Sequence, residues 1–324
     1  MLAVTAARID PDEPLSGLEV GLRPDPEPLD GWETVRVRAA GLNHHDLWTL
    51  RGVGMTEDRL PIVLGAEAAG VTADGREVIV HGVIAPPGTG GDETLAEGMS
   101  LLSEHYDGTH AELVAAPSRN LVDKPAELSF EEAACLPVAW LTAYRMLFTK
   151  AELRPGGRVL VQGAGGGVAT AAILLGRAAG LRVYVTSRSE QRRQRALEMG
   201  AHAAVEPGER LPERVDAVLE TVGEATWAHS LRALRPGGTL VVSGATTGPN
   251  PPADLRRVYF RQLRILGSTM GTRGELEALV RMLVDTGVRP PIDSVVPLED
   301  AKSAYARMEA GEVFGKIVLT PPGD

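Results

Sequence analysis

The run "VLVQGAGGGVATAAILL" (159–175) leads an apolar strand into a knot of glycines and then into a helix. That order is what a phosphate cradle needs. Glycines let the backbone pass close to a pyrophosphate, and the N–H groups opening the helix receive its charge. Gly163, Ala164, Gly165, Gly166, Gly167 and Val168 are the candidate phosphate-facing residues. The register is irregular. A G-x-G-x-x-G frame begun at Gly163 ends on Val168, and one begun at Ala164 gives Ala164, Gly166 and Ala169. Alanine serves at the third place, which packs helix on strand. A tight glycine turn with no ligand is the plainer alternative.

The next strand bears on the choice of nucleotide. An acid about 20 residues past the glycines binds a ribose 2′-hydroxyl and repels a 2′-phosphate. Here "YVTSRSEQRR" (184–193) offers Ser187 and Arg188 and no acid before Glu190. Hydroxyl and guanidinium groups favour NADP(H), with Ser187, Arg188 and Arg192 as contacts. Arg193 reads as a solvated helix face.

A second stretch, "GLNHHDLWTLRG" (41–52), sets His44, His45 and Asp46 side by side. Neighbouring histidines point about 100° apart on a helix and to opposite faces of a strand, so they chelate a metal poorly. Asn43 reads as a helix N-cap, with Asp46 three residues on completing a capping-box-like pair. Trp48 reads as core or as the wall of a pocket.

These residues need a scaffold, and 324 residues are enough for two domains. A net charge of −10 gives no support to nucleic acid or an anionic membrane as partner. The single cysteine, Cys135, excludes a disulfide framework and every cysteine-rich zinc arrangement. No apolar run reaches ~18 residues and no secretory signal is visible, so a cytoplasmic protein is expected. Short alternating runs such as "TVRVRAAG" (34–41) and "GREVIVHGV" (75–83) predict a mostly-β module over the first ~125 residues, interrupted by a long excursion at 85–110. Ser129 and Glu132 form a capping box before an apolar helix at 129–148. Strands and helices then alternate to about 270, which predicts an α/β doubly wound parallel sheet.

Taken together, "GLNHHDLWTLRG", "LPIVLGAEAAG" (60–70), "GTHAELV" (108–114), "LSFEEAACLPVAWLTAYRML" (128–147), the glycine turn, "FRQLRILGSTM" (260–270) and "FGKIVL" (314–319) resemble the medium-chain dehydrogenase/reductase superfamily over nearly the whole chain. The resemblance implies a GroES-like mostly-β catalytic domain (1–124, completed by 269–324) and a Rossmann NADP(H)-binding domain (125–268), with the site in the cleft between them. It also implies a homodimer joined along the edge strand 258–268.

Zinc-dependent members carry ligands where this chain has Asn43, Ala66 and Val138. An amide, a methyl and an isopropyl group make no thiolate/imidazole site, and Cys135 lies three residues too early to substitute. The structural zinc lobe would fall in 85–110, which has no cysteine. The chain therefore resembles the zinc-independent quinone oxidoreductase and enone reductase relatives and the zinc-type alcohol dehydrogenase-like proteins. The candidate hydrogen-bond and proton donors are Asn43, at the former ligand position, and His44 or His45; the resemblance implies Thr142 as nicotinamide neighbour. Substrate contacts fall on His45, Trp48 and Tyr106. Cofactor contacts extend to Ser243, Gly244 and Ala245, to Ser268, Thr269 and Met270, and to Lys316 at the pyrophosphate; Glu67 is left a structural hydrogen-bonding role. The expected activity is hydride transfer from NADPH, without zinc, to a quinone or an α,β-unsaturated carbonyl of small-molecule size. An enoyl-thioester reductase, an alcohol dehydrogenase and a non-catalytic NADPH-binding redox sensor are the alternatives.

Overall fold

The computed structural model describes residues 1–322. The chain forms two compact units, Thr142–Thr269 and a discontinuous one made of Met1–Leu141 with Met270–Asp324.

In Thr142–Thr269 a parallel sheet runs in the spatial order Ala203–Val205, Arg182–Thr186, Arg158–Val161, Val215–Glu220, Leu234–Val242, Arg264–Gly267. The order reverses beside Arg158–Val161, the first strand, so the carboxyl ends of that strand and its neighbours frame the crevice where such sheets bind ligands. Leu160, Tyr184, Val218, Leu231 and Leu240 are buried together, which is why these strands read as continuous apolar runs. The edge differs from expectation. Residues Leu255–Arg261 are helical, and the strand is confined to Arg264–Gly267. Asp254 caps the helix at Arg257 N, and Gln262, in the left-handed region at φ 52°, ends it. The aromatic pair Tyr259–Phe260 made the segment look like a strand.

In the other unit, the strand Trp32–Gly41 is central. It pairs with Ala68–Thr72, Leu113–Pro117 and, through Val318 opposite Gly41, with Lys316–Thr320. Its alternation is the one written in the sequence: Val35 and Val37 are buried, Arg36 and Arg38 exposed. A second core gathers Val4, Leu42, Leu47, Leu50, Leu64, Tyr305 and Ile317.

The capping box at Ser129 and Glu132 is present, with both hydrogen bonds made. The helix after it is not a single one: Phe130–Ala134 is followed by a wider-turned segment, Leu136–Trp140. Pro137 supplies no N–H there, which breaks the regular ladder. Phe130–Ala134 packs on Trp32–Gly41 and Ala68–Thr72, so the first boundary falls at Leu141, later than the composition change near 125 implies. Among the described residues no helix is long and apolar enough to cross a membrane.

Candidate functional site

The glycine turn follows Arg158–Val161 directly. Gly163 and Gly165 sit at φ 81° and 116°, a region that residues with a side chain rarely adopt. Gly166 precedes the helix Gly167–Ala178, and no side chain caps it. The N–H groups of Gly165 and Gly166 bond to nothing among the described residues, and a Cβ on Gly166 would meet nothing within 4 Å. The Arg192 side chain crosses the turn, its Cδ, Nε and Cζ 3.1–3.4 Å from where a Gly165 Cβ would stand. The turn thus presents open N–H groups, a helix N-terminus and a guanidinium stem, a set that fits a pyrophosphate.

The carboxyl end of Arg182–Thr186 carries Ser187, which is buried, and Arg188, which is exposed and has no carboxylate partner among the described residues. Ser187 Oγ accepts from Ser189 N (3.2 Å), which leaves its own hydrogen to donate. Arg193 is separated from Arg192 by its contacts: it donates to Ser187 O (2.7 Å) and pairs with Glu206. Ser243, Gly244 and Ala245 are half-buried at the end of Leu234–Val242, beside Ser268, whose buried Oγ has no hydrogen-bond partner among the described residues. Thr142 is buried in the turn Leu141–Tyr144, and Thr269 is exposed.

The discontinuous unit is built around Glu67, which is fully buried. Its Oε1 accepts from Lys316 Nζ (2.6 Å) and Asn43 Nδ2 (2.7 Å), and its Oε2 from Val138 N (2.7 Å). Lys316 Nζ also donates to Leu42 O and Asn43 Oδ1, both at 2.7 Å. A Cβ at Gly41 would collide with the Glu67 carboxylate and the Ala134 carbonyl, so only glycine lets the strand pass this pair. Asp46 accepts from Asn43 N (2.8 Å), as the expected capping box requires, and from Gly65 N (3.1 Å).

Several expectations are corrected by this geometry. All three hydrogens of the Lys316 ammonium are spent inside this unit, and with 2 % of the side chain exposed it has none for a pyrophosphate. Asn43 has one amide hydrogen on Glu67 and the other on Gly41 O (3.3 Å), so it has none for a substrate oxygen. His45 Nε2 lies 3.3 Å from Ser103 Oγ and 3.9 Å from Glu104, tying its helix to the 100–106 segment rather than to a substrate. Tyr106 packs on Trp32, the rings tilted by 54° with centroids 4.8 Å apart, against the β core. Met270 packs with Ala66, Val83, Leu101 and Val138 instead of lining a cofactor.

That apolar cluster contains two of the three positions where a zinc ligand would stand, and the third is the saturated Asn43 amide. The donor set does not fit a zinc ion. Trp48 is half-buried, with the Arg51 guanidinium over its ring. His44 is exposed as a residue and makes no hydrogen bond among the described residues. Desolvation by the surrounding chain, then the nearby Lys316 ammonium, holds its imidazole below the usual range, so the ring is neutral at neutral pH. Glu67 keeps the structural hydrogen-bonding role expected of it, whereas the sequence assigns no role to Gln162, Thr186 and Glu220. The visible signal for the last three was one polar residue near the end of each apolar strand.

Residues 30–126 match the family described as "Alcohol dehydrogenase GroES-like domain", and residues 167–285 match "Zinc-binding dehydrogenase". An acryloyl-coenzyme A reductase of Metallosphaera sedula is 30% identical over 94% of this chain and 96% of its own. The chain belongs to the medium-chain dehydrogenase/reductase superfamily. Within it, the zinc-type alcohol dehydrogenase-like branch is its place. A medium-chain member solved as an NAD-dependent alcohol dehydrogenase is 34% identical, with 99% of both chains covered and a TM-score of 0.91. Another, the 2-octenoyl-CoA carboxylase reductase CinF solved with NADP and 2-octenoyl-CoA, is 25% identical over 99% of this chain and 87% of its own, with a TM-score of 0.90. This medium-chain protein is an oxidoreductase with the Rossmann and GroES-like domains of its superfamily.

Proposed function

We propose that this chain is an NADPH-dependent, zinc-independent reductase of α,β-unsaturated carbonyl compounds, with enoyl thioesters as its main substrate class. The observation that carries this reading is the set Asn43, Ala66 and Val138, a saturated amide and two hydrocarbon groups where zinc ligands would stand. A simple ketone without a Lewis acid has no place for alkoxide charge, whereas a conjugated carbonyl spreads it into an enolate that hydrogen bonds stabilise. Bound NADPH supplies the hydride, which adds to the β carbon; one proton added at the α carbon completes the reduction. His44 is the residue proposed to serve the enolate. Neutral and without a hydrogen-bond partner among the described residues, it would offer one N–H to the enolate oxygen as a hydrogen bond, and the α carbon would take its proton from water.

The choice of NADPH is supported by Ser187 and the unpaired Arg188, and by NADP in the CinF structure. The choice of thioester is supported by the names of acryloyl-coenzyme A reductase and CinF; none of the relatives named above singles out quinones, which the sequence reading had set beside enones. The edge strand Arg264–Gly267 and the exposed Leu255, Tyr259, Phe260 and Ile265 support a homodimer.

The test is NADPH oxidation, with chelator present, on acryloyl-CoA, crotonyl-CoA, 2-octenoyl-CoA, a simple enone, a quinone and a primary alcohol's aldehyde. Turnover of the thioesters, unchanged by chelator, is expected, with no stoichiometric zinc by elemental analysis. Activity confined to the aldehyde, or lost to chelator, sinks the proposal. Arg188→Asp should erase the preference for NADPH over NADH; an unchanged preference would refute the 2′-phosphate assignment.

A further inference from the structure

Beneath the glycine turn runs a chain of polar side chains, each fully buried, that the phosphate cradle as described does not use. The Gly163 N–H donates to Thr186 Oγ1 (3.2 Å), and the Thr186 hydroxyl donates to Gln162 Oε1 (2.6 Å). Gln162 Nε2 donates to Ser230 Oγ (2.9 Å), and the Ser230 hydroxyl donates to Glu220 Oε2 (2.6 Å). Gln162, Thr186, Ser230 and Glu220 are all 0 % exposed. Glu220 also accepts from Val222 N (2.8 Å), Gly223 N (3.1 Å) and the Thr226 hydroxyl (2.9 Å).

The direction of every bond follows from the chemistry of the groups. A carboxylate only accepts, so Ser230 must donate to it and must itself accept from Gln162. That fixes which way the Gln162 amide faces, and its oxygen is then left for Thr186. Thr186 can give its hydrogen to Gln162 because its own lone pair receives the Gly163 N–H. Reversing any one group leaves two donors or two acceptors facing each other in a dry interior, at the cost of a buried unsatisfied group.

This chain crosses the carboxyl ends of three adjacent strands and ends on the backbone of the glycine turn. Thr186 holds the turn twice, through its hydroxyl to Gly163 N and through its carbonyl to Ala164 N (2.7 Å). With the first two N–H groups of the turn drawn back onto Arg182–Thr186, the next two, on Gly165 and Gly166, are the ones left open.

We propose that Thr186, Gln162, Ser230 and Glu220 are positioning residues for the dinucleotide, setting the glycine turn so that Gly165 and Gly166 present their N–H groups to the pyrophosphate. The assignment rests on the NADPH reading above. It separates two parts of the ligand: the pyrophosphate, which depends on the turn, and the 2′-phosphate, which depends on Ser187 and Arg188.

The test compares NADPH with adenosine 2′-monophosphate, which carries the 2′-phosphate and no pyrophosphate, by equilibrium binding to the full chain. Thr186→Val should weaken NADPH about tenfold, the scale of one lost hydrogen bond, and leave the monophosphate unchanged. Thr186→Ser, which keeps the hydroxyl, should restore NADPH to within about twofold. Ser230→Ala, which reaches the turn only through the Gln162 side chain, should weaken NADPH in the same sense by a smaller factor, about threefold. Melting temperatures are measured alongside. Equal losses for both ligands, or lowered melting temperatures with unchanged NADPH affinity, overturn the positioning role while the cofactor reading stands. Wild-type protein that binds neither ligand overturns the cofactor reading, and this assignment with it.

Discussion

Lys316 shows how much one residue's surroundings decide. On a strand start it looks like a basic residue free to reach a phosphate, yet it is sealed with Glu67 at 2.6 Å, side chains 2 % and 0 % exposed. A buried ion pair contributes little net stability against a hydrophobic replacement of both partners, but deleting one partner strands the other. Lys316→Met should therefore cost about 3–5 kcal/mol, and the double variant Lys316→Met/Glu67→Leu less than Lys316→Met alone. Urea unfolding of the three proteins checks this; a single variant costing under about 1 kcal/mol would show the pair to be solvated. The partners are 249 positions apart, and nothing in composition or periodicity says which buried acid meets which buried base. The Asn43 cap and the glycine turn were legible because their partners are local. The saturation of the Asn43 amide was not, because it is made by Glu67 and Lys316.

Elements were easier to read than contacts. Strands show as apolar runs and helix starts as capping boxes, so the alternation of strand and helix and the Ser129 cap follow from short windows of sequence. Misreadings fell where a local signal pointed two ways, as at Tyr259–Phe260, or where a proline sat inside a helical run, as at Pro137. The outer ends of the sheet's strands are pinned electrostatically. Burial pushes the Asp216 carboxyl up, but hydrogen bonds from Arg158 and Arg235 outweigh it and hold it at about 2, below the ordinary 3.8. A lowered carboxyl stabilises the fold above its unfolded value and loses that contribution as pH falls from about 4 to about 2. The two guanidinium groups are a third or more exposed, so solvent screening leaves on the order of 1 kcal/mol. Asp216→Asn should lower stability by that amount at pH 7 and by almost nothing near pH 2. An equal loss at both pH values would contradict the linkage.

At the scale of the whole molecule, the surface at 255–265 is the least economical part of the chain. Leu255, Tyr259 and Phe260 are 70, 69 and 79 % exposed, next to a sheet edge whose backbone groups have no partner strand among the described residues. A second copy brought to the same edge by a twofold axis would cover both. Phe260→Asp should shift the sedimenting species from dimer to monomer, with NADPH binding retained. A wild-type protein that sediments as a monomer at micromolar concentration would rule that pairing out.

The unit Thr142–Thr269 is one uninterrupted stretch of chain, so everything it needs has been synthesised once residue 269 has emerged. Its companion is not so placed. Until Lys316 arrives, the carboxylate of Glu67 has no counter-charge, and the strand Trp32–Gly41 lacks the neighbour that Val318 and Leu319 provide. During translation the strand Trp32–Gly41 and Glu67 are therefore completed only by residues made much later. Until then the chain carries an open sheet edge and an acid without its counter-charge, and both are covered by Lys316–Thr320.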